Sequence, residues 1–586
     1  MAQPGSALAW GASGRRFKSG RPDKKDLRNK ELEKIWLKSY PKGIPAEINP
    51  DEHSSLVEIF ETSCRQNAAH PAYYNLGNTI TYQQLDEASK NFAAYLQQKL
   101  KLKKNDRIAI MLPNCLQYPI AVFGALRAGL VVVNVNPLYT PTELIHQLKD
   151  SEACAILVIA NFAATVQRAL PETPTVKNVI ITYMGDYLKP VHGFIIDFVL
   201  KYVYRKIPAF DIPDTIKFKE ILSKGKKLTL TPISIKNTDT AFLQYTGGTT
   251  GVAKGAELTH RNLIANIQQA DAWFSQLLSE NEIIITALPL YHIFSLTANC
   301  LYFTKIGGLN VLITNPRDIP NMIKEMKKFQ FTTITGVNTL FHALLKNPDF
   351  AKLDFSKLHL AMGGGMAIQK VVADEWKKIT GAPILEAYGL TETSPCVTIN
   401  PTTLKEFNGS IGLPVSSTDV CFFDNDYQEV PAGQPGELAV KGPQVMKGYW
   451  KNPDETEKVF KDGWLLTGDI ANINENGFVK ILERKKDMIL VSGFNVYPNE
   501  LEDVITQLKG VHEVAVIAVP DENSGEVPKA FIVKDDPALT EADVIKFCHE
   551  HLTGYKVPKH IEFVKDLPKS NVGKILRRKL REKSET

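Results

Sequence analysis

One stretch of this 586-residue chain is built for chemistry on its own terms: Tyr245-Thr-Gly-Gly-Thr-Thr-Gly-Val-Ala-Lys-Gly255. It follows a strand-like run, Thr240 to Tyr245. Gly247, Gly248 and Gly251 let backbone amides approach an anion without interference from a Cβ. Thr246, Thr249 and Thr250 add hydroxyl donors, and Lys254 adds a positive charge. The composition fits a polyphosphate cradle. It is not a Walker loop, because Lys254 is followed by Gly255 rather than Ser or Thr. Gly573-Lys574 is followed by Ile575 and fails the same test. Neither a GxGxxG dinucleotide fingerprint nor a GxSxG nucleophile elbow occurs in the chain. A glycine-rich turn is as often structural as functional, so this segment alone does not decide between the two.

Four further motifs follow in order: Tyr388-Gly-Leu-Thr-Glu392, Thr467-Gly-Asp469, Arg484, and Pro568-Lys-Ser-Asn-Val-Gly-Lys574. Together with the threonine–glycine loop they form a ladder that resembles the acyl-adenylate-forming superfamily, from about Glu33 onward. Stretches such as "ALPLYHIFSLT", "RKKDMILVSGFNVYPNELEDV" and "LTGYKVPK" place the resemblance in the branch that activates long-chain fatty acids. The resemblance implies a two-domain fold and two-step chemistry. A carboxylate and ATP give acyl-AMP and pyrophosphate; a thiol, here CoA, then displaces AMP.

Carried over residue by residue, the resemblance gives each motif a task. Lys574 would bridge the carboxylate and the α-phosphate as a flexible point charge. Glu392 would hold Mg2+, which takes one or two carboxylates plus phosphate oxygens. Thr391 would bond a phosphate. Tyr388 offers a face to adenine, with Gly389 beside it and Gly363, Gly364 and Gly365 on the other side. Asp469 would accept from the ribose hydroxyls, with Arg484 adding a contact to ribose or phosphate. His292 would lie beside the reacting carboxylate at the mouth of the acyl pocket. For the second step the C-terminal domain would rotate about Lys486, withdrawing Lys574 and presenting Ser492, Gly493 and Phe494 to the pantetheine arm. Each has a plainer reading: core tyrosine, turn aspartate, packed histidine, surface lysine beside Lys569, Arg577 and Arg578.

The elements that must position these groups read as α/β. "ITYQQLDEASKNFAAYLQQKL" has helical spacing, whereas "DRIAIMLP", "LVVVNVNP", "ACAILVIA" and "VKNVIIT" are short β-branched runs between helical segments, as in a mostly parallel sheet. From Gly409 to 485 short strands joined by Gly, Asn and Asp predict a β-rich subdomain. Mixed helix and strand resume in 486–586, so residues 33–485 form the expected large domain and 486–586 the small mobile α+β one. Residues 1–32 are expected to be a disordered basic tail. An acyl chain would need an apolar tunnel, for which Tyr291–Phe303 and Thr333–Leu345 are candidates, though both read equally well as plain core helices.

Bulk properties narrow the class. Residues 1–30 hold eight basic and two acidic groups; without them 61 basic face 62 acidic groups, so the body gives no reason to expect nucleic-acid binding. The seven cysteines are scattered with no metal-ligand spacing, which suits a reducing cytoplasm. The longest apolar stretch, Ile120–Val135, is too short and interrupted to span a bilayer. "GFIIDFVLKYVYRKIP", 193–208, is apolar, aromatic and basic at one end. It reads as a transient contact with the cytoplasmic face of the inner membrane, a buried helix, or a homodimer contact. Three rival functions remain: a medium-chain acid–CoA ligase, an acyl-AMP ligase that loads a carrier protein, and a non-catalytic lipid-binding or transport protein. The last is disfavoured because Lys574, Glu392 and Asp469 are all present.

Overall fold

The computed structural model of the chain describes residues 34–246, 253–278, 281–570 and 573–585. The basic segment 1–32 lies outside them, as do Gly247, Gly248, Thr249, Thr250 and Gly251. The first described element is the short helix Ile35–Ser39, anchored by the buried Trp36.

Two large sheets make the body of the protein. In the first, eight-stranded sheet the strands Arg107–Met111, Val131–Asn134, Ala155–Ile159 and Asn178–Thr182 run parallel, and Thr240–Thr246 joins them before an antiparallel return through Lys254–Thr259. Ala155–Ile159 is buried throughout, the pattern of a strand covered on both faces. In the second, nine-stranded sheet Leu309–Leu312, Ile283–Thr286, Thr333–Gly336, Leu360–Gly363 and Ile384–Gly389 are parallel, with antiparallel strands at both ends.

The helices Tyr82–Gln98, Gln117–Arg127 and His260–Phe274 share one apolar cluster with side chains of both sheets, including Ile108, Ile284 and Leu360. Every residue of Gln117–Arg127 is buried. That explains why the sequence there is apolar all round without being a membrane span. Thr259 caps the helix His260–Phe274 through a reciprocal bond with Asn262, which fixes where the helix starts and hence which face it shows the site. All seven cysteines are unpaired.

The predicted β-rich region is an antiparallel sheet built on Asp419–Phe423, Gly436–Lys441, Trp464–Ile473 and Val479–Arg484. It starts later than the change of texture at Gly409 suggests: Leu413–Pro414 still pairs with Cys396–Ile399 and completes the nine-stranded sheet. Strand Val479–Arg484 closes this sheet and Ile489–Val491 opens another, with Lys486 in the turn between them. The C-terminal sheet carries the helices Pro498–Ile505, Glu541–His551 and Arg577–Glu585, and has a core of its own that includes Leu501, Val516, Ile532 and Val544.

Candidate active site

The site opens at the carboxyl ends of the parallel strands, where α/β sheets generally bind ligands. Tyr388 is the last residue but one of strand Ile384–Gly389, and its hydroxyl donates to Asp469 Oδ2 at 2.5 Å. Asp469 and Arg484 face each other across neighbouring antiparallel strands, and Arg484 Nε lies 2.7 Å from Asp469 Oδ1. Asp469 is therefore held from two sides. Burial raises its carboxyl, and Arg484, the Tyr388 hydroxyl and Lys574 offset that rise only in part. Tyr388, Asp469 and Arg484, 96 residues apart in sequence, form one unit here.

The three glycines divide their labour. A Cβ on Gly363 would strike Ile368 and Ile384 at 2.8–2.9 Å, so this residue serves packing. Gly364 and Gly365 line the cavity described below. A Cβ on Gly364 would sit 2.9 Å from the Ala387 carbonyl, and Gly365 has φ +78° with only Val337, at 3.7 Å, near where a Cβ would sit. Those two can accept a flat ring close to the backbone. Gly389 is needed for a different reason: its Cβ would meet the Pro395 carbonyl oxygen at 1.8 Å.

Glu392 follows in a short helical turn, Thr391–Thr393. Its Oε1 accepts from the Tyr449 hydroxyl at 2.7 Å. Tyr449 in turn carries Lys254 over its ring, 5.2 Å from the centroid. Lys254 is not extended towards a nucleotide in this arrangement; its ammonium is paired with Glu455. Tyr245 is also engaged elsewhere, its hydroxyl donating to Asp150 and its ring lying under Gly255. Both residues thus brace the two strands that flank the threonine–glycine loop. Thr246 and Lys254 are the paired residues at its base. Among the described residues no group of three or more His, Cys, Asp and Glu side chains converges. Glu392 accordingly suits a cation that arrives with phosphate oxygens, rather than one caged by protein alone.

An apolar cavity with about 100 Å³ of free interior runs inward from this point. Tyr388, Thr391, Gly364 and His292 line it, together with Phe274, Tyr302 and Phe303. Asn266, Ala270 and Phe274 reach it from one face of their helix at successive i+4 steps. The run Tyr291–Phe303 supplies much of the wall, as expected. Thr333–Leu345 supplies only Thr333 and Thr335, because Asn338–Leu345 is a helix with its apolar face in a separate core. His292 Nδ1 accepts from the Phe294 amide at 3.3 Å. Burial, with the nearby Lys574, lowers its imidazole to about 4, so it is neutral at ordinary pH.

Lys574 reaches the same place from the C-terminal unit. Its loop is closed by a bond from the Ser570 amide to the Lys574 carbonyl at 2.7 Å. Gly573, at φ +83°, brings the loop so close to Thr339 that a Cβ would lie 2.4 Å from its hydroxyl. Protein surrounds the cleft, yet more than a third of Lys574 remains accessible. The surrounding mass and the Arg484 charge, opposed by Asp469, draw its ammonium down to about 8, a fall that water in the open cleft moderates.

Further contacts seat the unit. Asn499 donates from its amide to Glu483 Oε2 at 2.9 Å, Arg577 lies 3.5 Å from Glu483, Lys346 pairs with Asp535 at 2.8 Å, and His342 packs on His512. Sequence reasoning missed Tyr449, Glu455 and Arg577; only "KGYW" and the basic "RRK" hinted at them. Ser492, Gly493 and Phe494 are not brought to the site. They form an exposed hairpin turn, with Ser492 and Gly493 both at positive φ and Phe494 stacked on Tyr555 at 5.0 Å.

Comparison with known proteins places the chain in a family. Residues 60–450 match the AMP-binding enzyme family and residues 500–574 match the AMP-binding enzyme C-terminal domain. The chain belongs to the AMP-binding enzyme family. Among its relatives is the long-chain-fatty-acid–CoA ligase of Salmonella typhimurium, 57% identical over 554 residues, covering 94% of this chain and 99% of that protein. The anthranilate CoA ligase AuaEII in complex with anthranoyl-AMP superposes with a TM-score of 0.79 at 25% identity, over 92% of this chain and 98% of that one. ATP-bound MatB from Rhodopseudomonas palustris gives 0.76 at 27% identity, over 90% and 99%.

Proposed function

We propose that this protein activates long-chain fatty acids to acyl-CoA through an acyl-adenylate, and that the residues gathered around the cavity divide the work as follows. A fatty carboxylate lies beside His292 with its chain in the apolar cavity, where each buried methylene contributes about 0.8 kcal/mol. ATP lies with adenine between Tyr388 and Gly364–Gly365, and with its ribose hydroxyls on Asp469. A carboxylate oxygen attacks the α-phosphorus, the bond to the β-phosphate oxygen breaks, and pyrophosphate leaves. Two anions must approach for this, and Lys574 offsets their repulsion while holding them in line. Arg484 keeps Asp469 oriented, and Thr391 donates to phosphate.

Glu392 would hold Mg2+, which when bound neutralises phosphate charge. In the second half-reaction the CoA thiolate attacks the acyl carbonyl carbon, the bond to the phosphate oxygen breaks, and AMP departs. Lys574 would stand in the way of the thiol after serving the first step, so the C-terminal unit would turn about Lys486 to withdraw it. Ser492, Gly493 and Phe494 then line the thiol's path.

The observation that carries the reading is the meeting of Lys574, the Tyr388–Asp469–Arg484 unit and an apolar cavity at one point. Pyrophosphate exchange into ATP with acetate, octanoate, palmitate and oleate tests it. Exchange with palmitate or oleate, then thioester on adding CoA, is expected. Exchange with short acids alone overturns the long-chain assignment, and no exchange with any acid overturns the activity.

A further inference from the structure

Among the described residues thirteen large apolar or aromatic side chains are exposed, and seven of them fall between residues 191 and 204. Six of these belong to one helix, Pro190–Phe198, which continues as a wider turn through Val199–Val203, and the seventh, Tyr204, caps its end. Val191, Phe194, Ile195, Phe198 and Tyr202 follow helical spacing and make one outward stripe, the most exposed of them at 75%. Phe194, Phe198 and Tyr202 pack ring on ring along it, at 6.3 and 5.0 Å.

The opposite face is fixed to the body. Gly193 and Gly185 touch so closely that a Cβ on either would meet the other's carbonyl oxygen at 2.2–2.3 Å, and Ile196 and Leu200 join the main core. The acid of the helix, Asp197, faces inward and accepts from the Gly185 amide at 2.8 Å. The exposed charges that remain are all positive: Lys189, Lys201, Arg205 and Lys206.

We propose that this helix is a docking surface for an anionic lipid bilayer, lying in the headgroup region with the Val191–Tyr202 stripe immersed and the basic groups on lipid phosphates. An apolar stripe rich in aromatics, flanked by cations, is the composition that binds membrane interfaces. No helix among the described residues is long and apolar enough to cross a membrane, so the helix lies on the bilayer. Charge disfavours the other occupants. A second copy of the chain would oppose four cations to four cations, and the chain's own first thirty residues carry eight basic groups against two acidic ones. The placement would bring the enzyme to the phase in which long-chain acids dissolve.

Flotation with phosphatidylcholine vesicles containing roughly 30% phosphatidylglycerol, and with phosphatidylcholine alone, tests the surface. The unaltered protein is expected to float with the anionic vesicles. Phe194→Glu with Phe198→Glu should abolish flotation. Lys201→Gln with Arg205→Gln and Lys206→Gln should weaken it roughly a hundred-fold, at about one kcal/mol per charge. Both variants should adenylate albumin-bound oleate normally, which shows that they are folded and separates this test from that of the activity. No flotation of the unaltered protein overturns the proposal. So does flotation that survives the apolar variant, or a dimer in solution that the same variant dissociates.

Discussion

Two turns of the C-terminal unit could hardly be placed more differently. Gly573 is pressed against Thr339 of the Asn338–Leu345 helix, and Lys574 beside it lies in the electrostatic field of Asp469 and Arg484. The Ser492–Phe494 hairpin belongs to the same unit, yet it stands in solvent with only Tyr555 stacked on its aromatic ring. On the proposed reading, one is the tool of the first half-reaction and the other that of the second. The contrast follows from chemistry: the ammonium that helps two anions meet would obstruct a thiol attacking from the same side. A single rigid arrangement cannot serve both half-reactions, whereas a small domain on one flexible connection can.

Removing the seated tool should give the largest effect. Lys574→Ala is expected to slow adenylation, read by pyrophosphate exchange, about a thousand-fold or more, in line with loss of a key electrostatic contact. Thioester formation from supplied acyl-AMP should stay within a few-fold. Equal loss in both assays would erase the distinction between the two turns. Lys486→Pro stiffens the connection instead. It should leave exchange nearly intact and slow thioester formation from acyl-AMP about ten- to a hundred-fold; an unchanged second step would move the hinge elsewhere.

The same contrast has a pH signature. With its ammonium lowered to about 8, Lys574 is charged below that pH and loses its proton above it. Adenylation should therefore decline by about tenfold per unit at pH well above 8. Thioester formation from acyl-AMP should not follow it, since the thiol becomes more reactive as it ionises. A parallel decline in both half-reactions would place the titrating group outside Lys574.

Much of this arrangement was legible in the residues. Alternating β-branched runs and helical segments announced the parallel sheets, and the ladder of motifs named Tyr388, Asp469, Arg484 and Lys574 before any geometry joined them. The turn at Lys486 fell where charge and texture changed. What stayed hidden depends on partners distant in sequence. Nothing local told that Lys254 would be taken by Glu455, 201 positions away, that Tyr245 would turn to Asp150, or that Tyr449 would hold Glu392. At Asn338–Leu345 the sequence left tunnel wall and plain core helix equally open, because an apolar face says only that something is buried against it. That face belongs to a neighbouring core, and the helix's other side receives the C-terminal unit.

The two kinds of ion pair that seat the unit should differ in worth, and this gives the smallest and most discriminating test. Arg577 reaches Glu483 across the connection while also bonding Glu502 at 2.7 Å within its own unit, and Glu483 is fully buried. Breaking that set would leave a buried charge unpaired and disturb the fold of the unit itself, so its loss cannot report on domain position alone. Lys346 and Asp535 are about half exposed, at 54% and 48%. Such a pair contributes about half a kcal/mol, a bias of about twofold between seated and withdrawn arrangements. Asp535→Asn should thus slow exchange about twofold and quicken thioester formation by a similar factor, with both shifts fading at high salt. Opposite signs in the two assays are the mark of a shifted balance between arrangements. Changes of the same sign would mean that Lys346 and Asp535 hold the unit's shape rather than its place.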